Sequence, residues 1–319
     1  MQGRLATLIV LTSITAASVA QNQQSPDQIL PIQITRGINQ TYLRPLPFGP
    51  LLAPGTASSD WQLLIQNEFR SYSTIREDGE TWRLRYSRRF ATEQGEWLVS
   101  LPLIHRGGGV LDPFIDWWHQ SVVHHFSPGR ESTPYGRNRF RLHDGTVVDS
   151  GTGFGDLTLG YSFRIPGEPQ ISLKLPTGNP NLLLGSGGID LAISAYQTWK
   201  LAPRYNFSAQ GSLIYQSQST LWSDTRNWVP TYNLALAYSP KTSQTWILQV
   251  TSEGSPVDNK QPYLDQTNRV VSLGLSQATK NGTWTYWISE DGDIGWFNMN
   301  RAINVGADFS IGIRYTQKQ

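Results

Sequence analysis

The chain has 319 residues, a formal net charge of +2 and no cysteine. Near-neutral charge gives no reason to expect a nucleic-acid partner, and the lack of Cys excludes disulfides, thiolate metal sites and Cys nucleophiles. An apolar fraction of 38% is low, but 12 Trp, 13 Tyr and 11 Phe argue against disorder, because aromatic-rich chains bury enough surface to fold.

In chain order, 1–20 reads as a cleavable signal peptide. Arg4 supplies the charged start, Leu5 to Val19 the apolar stretch, and Ser18-Val19-Ala20 the small residues before Gln21. Residues 21–59, with Arg44-Pro-Leu-Pro-Phe-Gly-Pro50, read as an extended periplasmic arm that enters or crosses a lumen. From residue 60 onward the pattern has period two. Leu157, Leu159, Tyr161 and Phe163 alternate with Asp156, Thr158, Gly160, Ser162 and Arg164. The alternation predicts twelve strands, near 60–72, 80–90, 96–105, 156–164, 170–176, 188–200, 204–215, 230–238, 245–252, 268–276, 282–289 and 303–315. Short connections alternate with longer ones, of which 106–155 is the longest and carries a helix start at Asp112-Pro113. No segment downstream of the leader has the roughly 18 apolar residues of a spanning helix. Alternating strands, asymmetric loops and aromatics near strand ends instead predict an all-β fold, a single antiparallel transmembrane β-barrel of about twelve strands occupying 60–319. Closure also pairs every backbone group in lipid.

Several blocks occur together in one order. They are Leu101-Pro-Leu-Ile-His-Arg-Gly-Gly-Gly-Val-Leu-Asp112, Phe114-Ile-Asp-Trp-Trp-His119, Ser150-Gly-Thr-Gly-Phe-Gly-Asp156, Leu173-Lys-Leu-Pro-Thr-Gly178, Gly185-Ser-Gly-Gly-Ile-Asp190 and Ser289-Glu-Asp291. Their order resembles the bacterial outer-membrane barrel family catalogued as domain of unknown function 3187. The resemblance implies a Gram-negative outer-membrane barrel and supplies no catalytic residue. Outer-membrane lipid, and barrel-assembly machinery during insertion, are the partners expected of such a protein; no cofactor is expected.

Three groups of residues are candidates for chemistry. Asp116, His119, His124 and His125 lie on or beside the helix of 106–155; a divalent metal is one reading, and ordinary polar residues on an amphipathic helix at the barrel mouth or in the lumen the other. The order His119-x-Ser121 resembles that of outer-membrane phospholipases, but residues i and i+2 of a helix point apart. A lipid-acting enzyme is therefore kept only as the alternative. The third group faces the lumen on the alternation: Arg70, Arg83, Arg85, Arg89, Arg164, Lys174, Lys200 and Arg314, with Glu68, Glu96, Asp156, Asp190 and Asp308. It reads either as a path for small anionic solutes, since guanidinium rows hold carboxylates and phosphates, or as an ion-pair network such as Glu68 with Arg83 or Arg85. The expected function is a non-enzymatic outer-membrane barrel, a narrow anion channel or a structural surface protein.

Overall fold

The computed structural model describes residues 26–34, 37–46, 50–71, 76–123, 130, 132–141, 145, 147–221, 224–258, 267–291 and 309–318. Among them, twelve strands close into an antiparallel barrel. These are β1 Ala57–Ser71, β2 Arg76–Ala91, β3 Gly95–Gly107, β7 Leu157–Phe163, β8 Gln170–Leu175, β9 Asp190–Ala202, β10 Tyr205–Gln216, β11 Trp228–Lys241, β12 Gln244–Glu253, β13 Asn268–Thr279, β14 Gly282–Asp291 and β15 Phe309–Lys318. Closure is made by β1 on β15, with Trp61 opposite Tyr315 and Leu63 opposite Ile313.

Two-residue periodicity decides which side chains meet lipid. On β11, Val229, Thr231, Asn233, Ala235 and Ala237 are buried while Trp228, Pro230, Tyr232, Leu234 and Leu236 are exposed. Ile193, Leu213, Leu248, Leu273, Ile288 and Ile311 continue the exposed apolar belt. At the short-turn end, aromatics stand directly opposite one another on neighbouring strands. Trp61 meets Tyr86 at 4.7 Å, Trp97 meets Tyr161 at 4.8 Å, Tyr205 meets Tyr238 at 4.9 Å and Trp284 meets Tyr315 at 4.6 Å between ring centroids. Such rings sit at the boundary between hydrocarbon and headgroups.

Segment 106–155 is more ordered than the expected loop. Two short strands, β4 Arg139–Arg141 and β5 Val147–Val148, form a hairpin added to the first residues of β2, while β6 Gly151–Phe154 pairs with the end of β3. They pair backbone groups of β2 and β3 that run past their barrel neighbours. The helix, α1 Asp112–Trp118, is followed by a π-helical turn, His119–Val123. Asp112 does not cap it; Leu111 holds that position without a side-chain bond. The Asp112 carboxylate is used elsewhere, accepting from Asn67 Nδ2 at 3.0 Å and Gly136 N at 2.8 Å and meeting Arg130 Nη2 at 3.0 Å.

Neither the mouth nor the lumen receives α1. Phe114 and Trp118 pack on Phe309, at 5.3 and 6.1 Å between centroids, and Phe309 shares its face of β15 with lipid-facing Ile311. Glu80, on the outward face of β2, accepts the backbone N–H groups of Val110 and Leu111 at 3.2 and 2.9 Å. The helix therefore clasps the outside of the wall above the lipid belt. The expected last strand, 303–315, corresponds to β15 at Phe309–Lys318; residues 303–308 lie outside the described residues.

Candidate functional site in the barrel lumen

The segment before β1 fills the barrel. Asp27 N donates to Ser276 Oγ at 2.9 Å, and the Asp27 carboxylate takes Thr285 Oγ1 and the Arg314 guanidinium, all near the short-turn end. Leu30 exchanges both backbone groups with the Gln249 amide, at 2.7 and 3.1 Å, halfway up β12. Gly37 N donates to Glu68 Oε2 at 2.7 Å, near the opposite end of β1. A run of about ten residues reaches about 33 Å when extended, enough to cross a hydrocarbon core of about 30 Å. At the long-loop end the chain turns. Leu43 N donates to Asp190 Oδ2 at 2.9 Å on the first residue of β9, and Arg44 Nε pairs with Glu253 at 2.8 Å on the last residue of β12. The return limb then comes back down, so that Leu52 N donates to Glu96 at 2.8 Å and Arg164 holds the Leu52 carbonyl at 2.7 Å. The segment thus enters and leaves at the short-turn end.

The two limbs meet different walls. Ile29, Leu30, Ile32 and Ile34 of the first limb pack with Leu64, Tyr196, Ala235, Ala237, Ile247, Val270 and Trp287. Two glycines make that wall possible: a Cβ at Gly274 would lie 2.5 Å from Leu30, and one at Gly312 would overlap the Trp287 indole at 2.0 Å. Each fully buried aliphatic side chain contributes about 1.5–3 kcal/mol, so this limb is anchored. The return limb instead faces β2, β3, β7 and β8, whose inward side chains include Arg83, Arg85, Arg89 and Lys174. Two small gaps remain there, of about 20 and 30 Å³. Each has room for about one or two waters. Arg85, Leu98 and Leu46 line both gaps, so Leu46 on the limb and Leu98 on β3 separate an upper gap at Arg83 from a lower one at Arg89 and Arg314.

Most lumen charges are paired. Arg89 pairs with Glu96, Arg314 with Asp27, and Lys174 with Asp156 at 2.6 Å and Asp190 at 3.4 Å. Glu68 pairs with Arg106 at 2.8 Å, not with Arg83 or Arg85. Register explains this correction: Glu68 stands opposite Gly79, one inward position above the row of Gln66, Thr81 and Arg106, while Arg83 stands opposite Leu64 two positions lower. Arg106 lies one residue beyond the expected end of its strand, and extending the alternation would have found it. Glu253 likewise lies one residue beyond the expected 245–252, on the inward alternation of β12, whereas Arg44 and Asp27 carried no periodic signal. Arg70 lies on β1, but its side chain is outside the described residues, as is Asp308. Lys200 is exposed near the end of β9.

At the short-turn end, Glu168 sits at φ 39° in the β7–β8 turn and lines a further small gap beside Leu51 and Tyr196. Burial pushes its carboxyl up to about 6, with Arg89 and Arg164 opposing and Glu96 adding to the rise. Asp116 and His119, paired in the metal reading, serve different partners. Asp116 accepts from the Tyr135 hydroxyl at 2.6 Å, whereas His119 Nε2 lies 3.6 Å from Glu290. His124 and His125 lie outside the described residues. Among the described residues, no three His, Asp or Glu converge as metal ligands.

A closed antiparallel barrel with an apolar, aromatic-rimmed exterior and a polar interior is an outer-membrane β-barrel. The crystal structure of the COG4313 outer membrane channel from Pseudomonas putida F1 superimposes with a TM-score of 0.55 at 13% identity, over 84% of this chain and 97% of that one. The chain belongs to the family described as protein of unknown function DUF3187, whose model matches residues 7–316. The NanC porin (TM-score 0.41, 11% identity, 81% of this chain and 97% of that one) and the KdgM porin (0.40, 9%, 81% and 98%) are looser matches. No curated protein matches the chain.

Proposed function

We propose that the protein is a narrow outer-membrane channel for small anionic solutes, held closed by its own N-terminal segment. One observation carries this reading: the segment's first limb is fixed to an apolar wall, while its return limb lies against a basic wall with gaps beside it. A barrel filled only for rigidity has no need of that asymmetry. Guanidinium groups along one wall favour anions over cations, and withdrawal of the return limb alone would join the gaps. In this class of barrel the short turns face the periplasm, which puts Asp27, at the start of the first limb, on that side. We read the protein as a channel, not as a lipid-acting enzyme, because His119 and Ser121 are two residues apart in the helical turn His119–Val123 and so point apart.

Planar-bilayer recording tests the proposal. Full-length protein should give rare, small, anion-biased steps, and a variant lacking 26–52 should give larger and frequent ones. Silence from both, with the barrel shown to be folded, would overturn the reading; phospholipid hydrolysis by the purified protein would favour the enzyme.

A further inference from the structure

Arg83 is set apart from the other buried lumen cations. Arg44, Arg89, Arg106, Lys174 and Arg314 each meet a carboxylate. Arg83 is 8% exposed, and no described residue hydrogen-bonds or pairs with its guanidinium; Nε and Nη1 are buried without partners. Its neighbours across the ladder are Leu64 on β1 and Ile104 on β3, so no acid stands opposite it in the sheet, and the carboxylate whose charge reaches it is Asp156. Arg85, one inward position below, is 5% exposed and bonds only to neutral amides, those of Gln33 and Gln62. The upper gap between wall and return limb gathers further unpartnered groups: Arg85 Nε, Arg44 Nη2, Gln40 Nε2 and Oε1, and Ser172 Oγ. Asp156, which lines the same gap, is committed to Lys174 and to the backbone N–H groups of Gly178 and Ser186. A buried charge without a counter-ion is strongly unfavourable, and unsatisfied donors seldom cluster in a folded protein.

We infer that this gap binds one small oxyanion, a phosphate or carboxylate group, with Arg83 and Arg85 as its charge partners and Gln40 and Ser172 as neutral donors. Guanidinium donors in a fork match the oxygens of such a group. The gap of about 20 Å³ takes an oxygen beside Arg83, and a whole phosphate requires the return limb to give way at Pro45 and Leu46. Occupancy and limb displacement are thereby coupled: an anion entering the site favours the withdrawn limb. The site's role in transport rests on the channel reading above; its chemistry does not.

Inorganic phosphate is the probe. Folded full-length protein in detergent micelles is titrated calorimetrically with sodium phosphate, against sodium chloride at matched ionic strength. The expected result is saturable binding of one phosphate per barrel, weakened about tenfold or more in Arg83→Gln, as loss of a charge-assisted hydrogen bond implies. Lys200→Gln, at an exposed position near the end of β9, should bind like wild type. Without phosphate, Arg83→Gln should melt no lower than wild type, since it removes an uncompensated charge; Arg85→Gln provides a second reading of the same site. No saturable binding, an equal response to chloride, or unchanged affinity in both Arg variants would overturn the proposal. Phosphate binding without bilayer conductance would leave the site standing and remove the channel reading. Conductance without phosphate binding would do the reverse.

Discussion

Arg44, where the inner segment turns, and Glu253, at the end of β12, form an ion pair 2.8 Å long with both side chains 3% exposed. It fastens the turn of the segment to the long-loop end of the barrel. Removing one partner of such a pair leaves a buried charge, which costs about 3–5 kcal/mol unless the segment moves. Glu253→Gln should therefore free the turn, seen as more frequent bilayer openings and earlier unfolding in urea. The double change Arg44→Met with Glu253→Leu should restore most of the stability, and a double variant as unstable as Glu253→Gln would refute this account of the clamp.

Leu46 and Leu98 divide the two gaps on the basic wall. Leu46→Ala should join them and raise anion conductance with modest loss of stability. Leu30→Ala, on the apolar wall, should cost about 2–5 kcal/mol as a buried Leu truncation and leave conductance low. Equal conductance from the two variants would show that the passage does not follow the basic wall.

Leu159 lies on the outward face of β7, between Leu157 and Tyr161, while Thr158 lines the inner gap. Arg at a lipid-facing position near the bilayer midplane costs about 2–4 kcal/mol. Leu159→Arg should show that loss in reversible unfolding from vesicles, and Thr158→Arg a smaller one. A reversed order would mean that the strand is turned by one residue, because every side chain then changes face.

Glu168 gives the short-turn end a pH dependence. Its folded carboxyl is raised to about 6 from an ordinary 4.5, so the folded state favours the protonated form. The group's contribution to stability is fully present below pH 4.5 and is lost as pH rises through 6. Because the side chain is only half-buried, the effect is about 1 kcal/mol after screening. Glu168→Gln should be more stable than wild type at pH 8 and equal to it at pH 4 in thermal melts. A variant less stable at pH 8 would contradict the cause assigned to the shift.

Strand identity, and which side chains meet lipid, could be read from the residues alone, because a strand in a membrane wall must alternate with period two. Thr158 and Leu159 keep the faces that the alternation assigns them, and all twelve expected strands have counterparts, β15 shifted toward the C-terminus. Loop asymmetry and aromatics near strand ends pointed to the membrane, and the family blocks agreed with that reading. That 21–59 enters or crosses a lumen was among the sequence expectations; which groups it meets there was decided only by tertiary structure. Gln249 and Leu30 are 219 residues apart in sequence, and an aperiodic segment whose backbone bonds go to distant side chains leaves no local signature. Pairing within the lumen was equally hidden. An inward Arg is visible in the alternation, but whether it meets an acid depends on cross-strand register, which sets Arg106 near Glu68 and leaves Arg83 between Leu64 and Ile104. Local periodicity fixes the direction of a side chain; only the closed sheet fixes its neighbours.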